Sequence, residues 1–328
     1  MTTKVTRYNM KKLLITGGLG FLGSYSIEKY KKDWDITVID NLSTNTINSD
    51  DPICDGVKVI IEDVLDYKWN EPFDMILHLA SPVGPAGILK FAGKMGGYII
   101  DDIYWAIEGS LKFKAPLIYV STSEIYGYRS KPDLLKEDDD KILVGDFKVR
   151  NEYSMAKLLG EIILSNTAKV TDLQYQIIRP FNISGARQLP TCGFVLPTFI
   201  NQALDNKPIT VFGNGKQIRA FTHVTDIVDG IYRTSVATGS NMNQIWNVGE
   251  PSNATTILHL AERAKKLTNS NSEIVFVDPK TIHGPLYEEA WDKIPNSTKI
   301  GKLLGWQSHW QVEGIIINTM NYWVDKRK

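Results

Sequence analysis

Cysteine is close to absent: Cys54 and Cys192 are the only two in 328 residues. Two can form at most one bridge, and a chain of this size does not need one to hold its core. Both are read as reduced thiols of a cytoplasmic protein. Histidine is scarce at five, and no His, Cys or Asp spacing matches a metal site, so no metal is expected. His78, His223 and His259 are read as structural. Charge of one sign is also missing. Lys plus Arg and Asp plus Glu each number 37, so the formal net charge is zero. This leaves no electrostatic footprint for nucleic acid and no basic cluster for an anionic membrane. The acidic run "EDDD" (137–140) reads as a solvated loop. No run of 18 apolar residues occurs, so no membrane-spanning helix is expected. "KKLLITGGLGFLG" is too glycine-rich for a secretory signal and lacks a small-residue cleavage pattern.

What is present is ordinary globular composition, 43% hydrophobic and 23% charged. Five short runs rich in branched residues read as strands: "KLLITG" (12–17), "DITVID" (35–40), "VKVIIED" (57–63), "FDMILHLA" (73–80) and "PLIYVST" (116–122). Their hydrophobicity is nearly continuous, which is the pattern of parallel strands buried on both faces. Helical spacing occupies 20–32, 97–113 and 152–168. This alternation predicts an α/β fold, a Rossmann-type doubly wound parallel sheet. "LQYQIIRPFN" (173–182) adds a strand, and the pattern then loosens. Helices are expected at 194–206, 224–237, 255–267 and 310–325, and extended segments at 208–212, 244–249 and 272–278. The dinucleotide-binding domain is expected to span 1–180, with elements near 220–249 returning to it. Residues 181–328 are expected to form a smaller substrate-binding lobe.

"TGGLGFLG" (16–23) follows the first strand and opens a helix. It contains Gly18-x-Gly20-x-x-Gly23 and, equally, Gly17-x-x-Gly20-x-x-Gly23. Glycines here permit a tight turn and let the backbone approach a pyrophosphate, while the helix N-terminus supplies amide donors. Asp40 ends the second strand about 20 residues on, where a carboxylate can accept the adenosine ribose hydroxyls. It would repel a 2′-phosphate, so NAD is expected over NADP. Asp63, ending the third strand, is a further candidate for the adenine end.

"YSMAK" (153–157) sets Tyr153 and Lys157 four apart, on one face of a helix. That pairing is either an ordinary surface contact or a phenol whose pKa is lowered for use as a base. "VSTSEIYG" (120–127) ends a strand, where ligands collect in open α/β sheets. The ordered set "TGGLGFLG", "IDNLS", "HLAS" (78–81), "STSEIYG", "YSMAK", "RPFNISG" (179–185) and "RAFTHVTD" (219–226) resembles the extended short-chain dehydrogenase/reductase family. The branch it resembles acts on nucleotide sugars, and the likeness covers nearly the whole chain.

The resemblance implies a set of roles. Tyr153 as phenolate takes a proton from a sugar hydroxyl, usually at C4, and NAD takes the hydride. Lys157 stabilises the phenolate and binds the nicotinamide ribose, and Thr122 bonds the same sugar oxygen. Beside Gly17, Gly20, Gly23, Asp40 and Asp63, the cofactor would touch Phe21, Leu22, Asn41, Val64, Leu79, Ala80 and Ser81. Asn182 and Arg219 would hold the pyrophosphate, and Leu196 and Phe212 would face the base. Ser123 and Glu124 after Thr122 resemble UDP-glucuronate decarboxylases and GDP-mannose 4,6-dehydratases. "ASPVGP" (80–85) and "EDDDKILVG…RNEYSMAKL" (137–158) lean toward the decarboxylases. Lys293 stands where that group carries an arginine, and Asp101 and Asp102 replace the family's usual Asn. A UDP-glucuronate decarboxylase-like enzyme is therefore expected first. A 4,6-dehydratase, 4-epimerase or 4-dehydrogenase comes next, and a non-catalytic dinucleotide sensor is the alternative of another class. A homodimer is also implied.

Overall fold

The computed structural model describes residues 10–328, except 83, 130–132, 144, 146 and 291. Val83 of "ASPVGP", Val144 of the "KILVG" segment and the first nine residues of the expected first domain lie outside the described residues. The first half alternates as its hydrophobic pattern predicts: β1 Lys11–Thr16, α1 Phe21–Tyr30, β2 Trp34–Asp40, β3 Lys58–Ile61, β4 Met75–His78, α2 Gly84–Lys90, α3 Met95–Phe113 and β5 Leu117–Val120. There follow β6 Leu134–Leu135, α4 Val149–Val170, β7 Tyr175–Pro180, β8 Ile183–Ser184, α5 Val195–Leu204, β9 Ile209–Phe212, β10 Ile218–Ala220, β11 Thr222–His223, α6 Val224–Ser235 and β12 Gln244–Val248. The chain ends with β13 Ala254–Thr256, α7 Ile257–Leu267, β14 Ile274–Val277, α8 Pro279–His283, β15 Ile294–Pro295, α9 Thr298–Leu304 and α10 Val312–Asp325.

Seven strands form one parallel sheet in the order β12-β7-β5-β4-β1-β2-β3. Sequence order reverses between β1 and β4, which makes the ends of those strands the crevice where such sheets bind ligands. Both faces are covered. Leu13, Ile15, Val38 and Leu77 pack with Ile27 of α1 and Ile227 and Ile231 of α6. Leu14, Ile76, Leu117 and Tyr119 face Ile103 and Ile107 of α3 and Leu164 of α4. Continuous burial along β1, β2, β4, β5 and β7 is what their unbroken apolar runs require. β3 is the sheet's edge, and its Ile61 is half exposed. A separate core gathers Leu196, Phe199 and Ile200 of α5 with Leu260 and Ala264 of α7 and Ile315 and Ile316 of α10. β9 pairs with β14, and β10 with β13, around that core.

Three short helices depart from the expected pattern, α2, α8 and α9. α2 ("GPAGILK") contains two glycines and a proline, so its propensity is low and its periodicity too short to read. Several expected elements are shortened at their ends. α7, for example, starts at Ile257 because Thr256 caps it, accepting from the His259 amide at 3.2 Å.

α4 is fastened to the sheet by a buried ion pair. Arg179 of β7 donates to Glu161 through Nε (3.0 Å to Oε1) and Nη2 (2.6 Å to Oε2). Ser121 Oγ donates to the same Glu161 Oε1 at 2.5 Å. Arg179 also donates to Tyr126 Oη at 2.9 Å and to the Glu137 carbonyl at 2.8 Å. Removing one partner of a fully satisfied buried pair strands the other's charge. Arg179→Met is therefore expected to cost about 3–5 kcal/mol, read as a fall in the urea midpoint. An unchanged midpoint would show that the pair carries no such weight.

Candidate active site

The ends of β1, β2, β4 and β5 open into one cavity of about 970 Å³. The phosphate loop forms its floor. Gly17 has φ +66°, a left-handed turn that glycine tolerates without strain. A Cβ on Gly23 would lie 2.2 Å from the Gly17 carbonyl oxygen, so only glycine lets the helix come this close. Gly20 is the N-cap of α1 and supplies no side-chain cap, and Gly20 through Gly23 line the cavity. The first amides of α1 are thus free for an anion. Gly18 instead packs on the Val38 side chain, so the Gly17–Gly20–Gly23 set is the one facing the cavity.

Asp40 is buried at the cavity edge and accepts from the Leu19 amide (2.9 Å) and the Leu42 amide (2.8 Å). Burial pushes its carboxyl up while the two amides pull it down. It thus braces the phosphate loop as well as facing the cavity. Asn41 donates to Asp63 at 2.9 Å. Phe21, Leu22, Asn41, Asp63, Val64, Leu79, Ala80 and Ser81 all line the same cavity. A glycine floor at a helix N-terminus, closed by carboxylates toward β2 and β3, fits a dinucleotide.

At the other end Thr122 caps a short turn, its hydroxyl accepting from the Glu124 amide at 3.1 Å. That turn aims Thr122, Ser123 and Glu124 into the cavity opposite Tyr153 and Lys157 of α4. The Tyr153 phenol is not lowered here. Burial and the Glu124 charge push it up, opposed by Thr122 and Arg150. Lys157 donates to the Val120 carbonyl at 3.1 Å and lies over the Tyr119 ring at 4.9 Å. Burial brings Lys157 down to about 8, against the pull of Asp102 and Glu161. Within the protein alone desolvation is the largest influence on the phenol, which the spacing of Tyr153 and Lys157 does not show.

Glu124 sits between two cations. Arg150 Nη1 is 3.0 Å from Oε2, and Lys293 pairs with Oε1. Although burial opposes it, these cations hold the carboxyl well below the usual carboxylate range. Burial dominates for Lys293, which falls to about 8 despite its partner, with Arg219 and Arg150 adding to the fall. Lys293 was expected to face the substrate. It lies behind Glu124, 3% exposed, while Arg150 lines the cavity. Sequence reasoning missed Arg150, although it stands one helical turn before Tyr153, on the face α4 turns to the cavity.

Asn182 lines the cavity and donates to the Ala220 carbonyl at 3.3 Å. Leu196 touches it from the lobe core, 1% exposed. Phe212 meets His283 (5.5 Å) and Tyr287 (5.6 Å), two rings that were not anticipated. Arg219 donates to Glu289 and the Ala290 carbonyl rather than standing open. Asp102 lines the cavity, pushed up to about 7 by burial and by Asp63, while Asp101 is exposed. His78 is buried, held at 3.0 Å from Thr16 Oγ1, and kept neutral by desolvation. Among the described residues no group of three or more His, Cys, Asp or Glu is placed to hold a metal ion. No helix among them is long and apolar enough to cross a membrane.

Residues 13–249 match the model of the NAD dependent epimerase/dehydratase family, and the chain belongs to that family. It is an enzyme of the extended short-chain dehydrogenase/reductase type that modifies nucleotide sugars with NAD. The chain is 31% identical over 301 residues to a UDP-N-acetyl-alpha-D-glucosaminuronate decarboxylase of Bacillus cytotoxicus, covering 89% of this chain and 91% of that protein. It is 30% identical over 316 residues to UDP-glucuronic acid decarboxylase 1 of Danio rerio, covering 95% and 72%. Its fold is similar to that of a UDP-glucose 4-epimerase from Thermotoga maritima, with TM-score 0.82, 24% identity and 97% and 100% coverage. A UDP-glucuronic acid 4-epimerase from Bacillus cereus, solved with NAD, superposes with TM-score 0.80 at 23% identity, covering 97% and 100%.

Asp40 should make the cofactor choice measurable. Calorimetric titration is expected to show tighter binding of NAD than of NADP. Tighter NADP binding would remove Asp40 from the ribose site.

Proposed function

We propose that this enzyme decarboxylates a UDP-hexuronate after oxidising it at C4. The observation that carries the reading is Arg150 on the cavity wall, 3.0 Å from Glu124 and one helical turn from Tyr153. A guanidinium offers the paired donors that a C6 carboxylate needs, and a neutral hexose offers it no charge to pair with. The decarboxylase names of two relatives at 30% and 31% identity support the same choice.

Bound NAD would lie on the Gly17–Gly23 floor and supply a hydride acceptor and a cationic ring beside Tyr153. Tyr153 takes the C4 hydroxyl proton, with Thr122 bonding the same oxygen. With the cofactor bound, its positive charge would offset the desolvation that holds the Tyr153 phenol protonated. Once C4 is a ketone, the C5–C6 bond lies beta to a carbonyl. Its electron pair passes into the C4–C5 enolate as carbon dioxide leaves. Tyr153, now protonated, donates to the enolate oxygen. C5 then takes a proton from solvent on the side where Glu124 lines the cavity, and Lys293 behind it holds that carboxylate in place. Asn182 and Arg219 are assigned to the pyrophosphate, and Phe212 with Tyr287 to the base. Residues 10–180 would carry the cofactor and the later lobe the nucleotide sugar.

We also propose a homodimer through α3 and α4. Tyr104 and Leu111 of α3 and Met155, Leu159 and Ile162 of α4 are all exposed apolar residues on adjacent helices. A patch on two packed helices is self-complementary about a twofold axis, the commonest closed symmetry. Sedimentation equilibrium should return twice the 36.9 kDa chain mass, and Leu159→Asp should return the single mass. Both free thiols suit a reducing, cytoplasmic setting.

The reaction is tested by incubation with UDP-glucuronate in heavy water, followed by NMR of the sugar. Loss of C6 with deuterium at C5 is expected. Retention of C6 with the C4 hydroxyl inverted would mean a 4-epimerase instead. Tyr153→Phe should slow turnover by at least about 10²-fold with UDP-sugar binding retained. Glu124→Gln should slow carbon dioxide release and let a 4-keto sugar accumulate; unaltered turnover would remove Glu124 from the chemistry.

A further inference from the structure

The cations assigned to an anionic substrate are already occupied by the chain itself. The segment from Gly284 to Ala290 crosses the cavity mouth and supplies the occupants. Arg219 is 6% exposed, and its Nη2 donates to Glu289 Oε1 (2.8 Å) and the Ala290 carbonyl (2.7 Å). Its Nη1 donates to the Ile218 carbonyl at 2.7 Å. Arg150 donates through Nε and Nη2 to the Glu288 carbonyl at 3.3 and 3.1 Å. Lys148 pairs with the Glu288 carboxylate at 2.9 Å. Tyr287, on the same segment, stacks on His283 at 4.9 Å and meets Phe212, so the strap also reaches the ring assigned to the base.

We propose that this acidic strap is an internal counter-ion for the substrate site, and that a nucleoside diphosphate displaces Glu289 from Arg219 on binding. The proposal rests on the reading that Arg219 receives the substrate's pyrophosphate. Two features make exchange cheap. The Glu289 side chain is 38% exposed, so released it returns to water rather than to an apolar core. At the strap's start Gly284 has φ +86° with nothing within 4 Å of a built Cβ, a pivot with room to turn. Arg219, in contrast, is fixed in β10 and cannot follow the strap outward. Glu289 therefore lowers apparent nucleotide affinity, because the ion pair must be broken first. Together with Asp292, 3.6 Å from Nη1, its charge also keeps the guanidinium compensated when no nucleotide is there.

The test is calorimetric titration of UDP into the NAD-loaded enzyme and its variants. Glu289→Gln keeps the shape and removes the charge, and is expected to bind UDP about two- to fivefold more tightly, the range of an exposed ion pair. Glu289→Ala should give the same sign. Arg219→Gln should weaken UDP. If Arg219→Gln leaves UDP affinity unchanged, the pyrophosphate reading of Arg219 fails and the proposal with it. If Arg219→Gln weakens UDP while both Glu289 variants bind it equally or less well, the nucleotide reading stands and the strap proposal is overturned. Weaker binding by those variants would make Glu289 a partner of the ligand, such as of its ribose hydroxyls.

Discussion

The active site depends on one buried carboxylate that never enters it. Glu161 lies one helical turn past Lys157 on α4 and is bound from two strands at once. Arg179 grips it from β7, and Ser121, the residue before Thr122, grips it from the end of β5. The helix that carries Arg150, Tyr153 and Lys157 is therefore held against the turn that carries Thr122 and Glu124. Apolar packing of α4 on α3 would permit sliding and rotation, because dispersion is weakly directional. A bidentate guanidinium–carboxylate contact in a low-dielectric interior permits far less. Arg179 extends the restraint through Tyr126 to Asn247 of β12, the last strand of the sheet.

In and around the cavity, desolvation sets the protonation states more than any neighbour does. It raises Tyr153, Tyr119 and Asp102 and lowers Lys157, Lys293 and His78. Glu124 is the exception, because two cations reach it at once. The result is a site in which the carboxylate is charged and the phenol is not. A base made from such a phenol needs a positive charge that arrives with the reaction components. In the proposed mechanism, coupling the base to that charge would keep proton abstraction from running without a hydride acceptor in place.

The sheet was legible because strands buried on both faces cannot alternate, and β1, β2, β4, β5 and β7 carry nearly unbroken apolar runs. The phosphate loop and Asp40 were legible because their spacing is local: a turn, a helix start and the next strand end. α2 was not, since seven residues with two glycines and a proline show no period. Glu124, Arg150 and Lys293 illustrate the limit for a site. Each is visible alone, yet Lys293 is 169 residues from Glu124. The sequence placed Lys293 in the site by likeness of position, with no signal that it would lie behind Glu124. Arg150 could have been found by extending the Tyr153–Lys157 face one turn toward the N-terminus. The phenol's state could not, because desolvation is a property of the closed cavity and no spacing encodes it.

The cations crowded beside the cavity are paired within the fold. Lys148, Arg150, Arg219 and Lys293 surround one end of the cavity, a density of charge that would be costly to desolvate alone. Four carboxylates answer them: Lys148 pairs with Glu288, Arg150 and Lys293 share Glu124, and Arg219 meets both Glu289 and Asp292. The protein thus folds around a neutral cluster instead of four isolated cations. An anionic ligand entering that cluster exchanges one set of ion pairs for another, with little change in total charge pairing. Affinity then follows from which carboxylates can leave. Glu289 stands at the cavity mouth on a strap, whereas Glu124 is anchored by the turn after β5 and gripped from both sides. In the proposed binding mode exchange is therefore easier at Arg219 than at Arg150, whose partner Glu124 is fixed by the turn after β5.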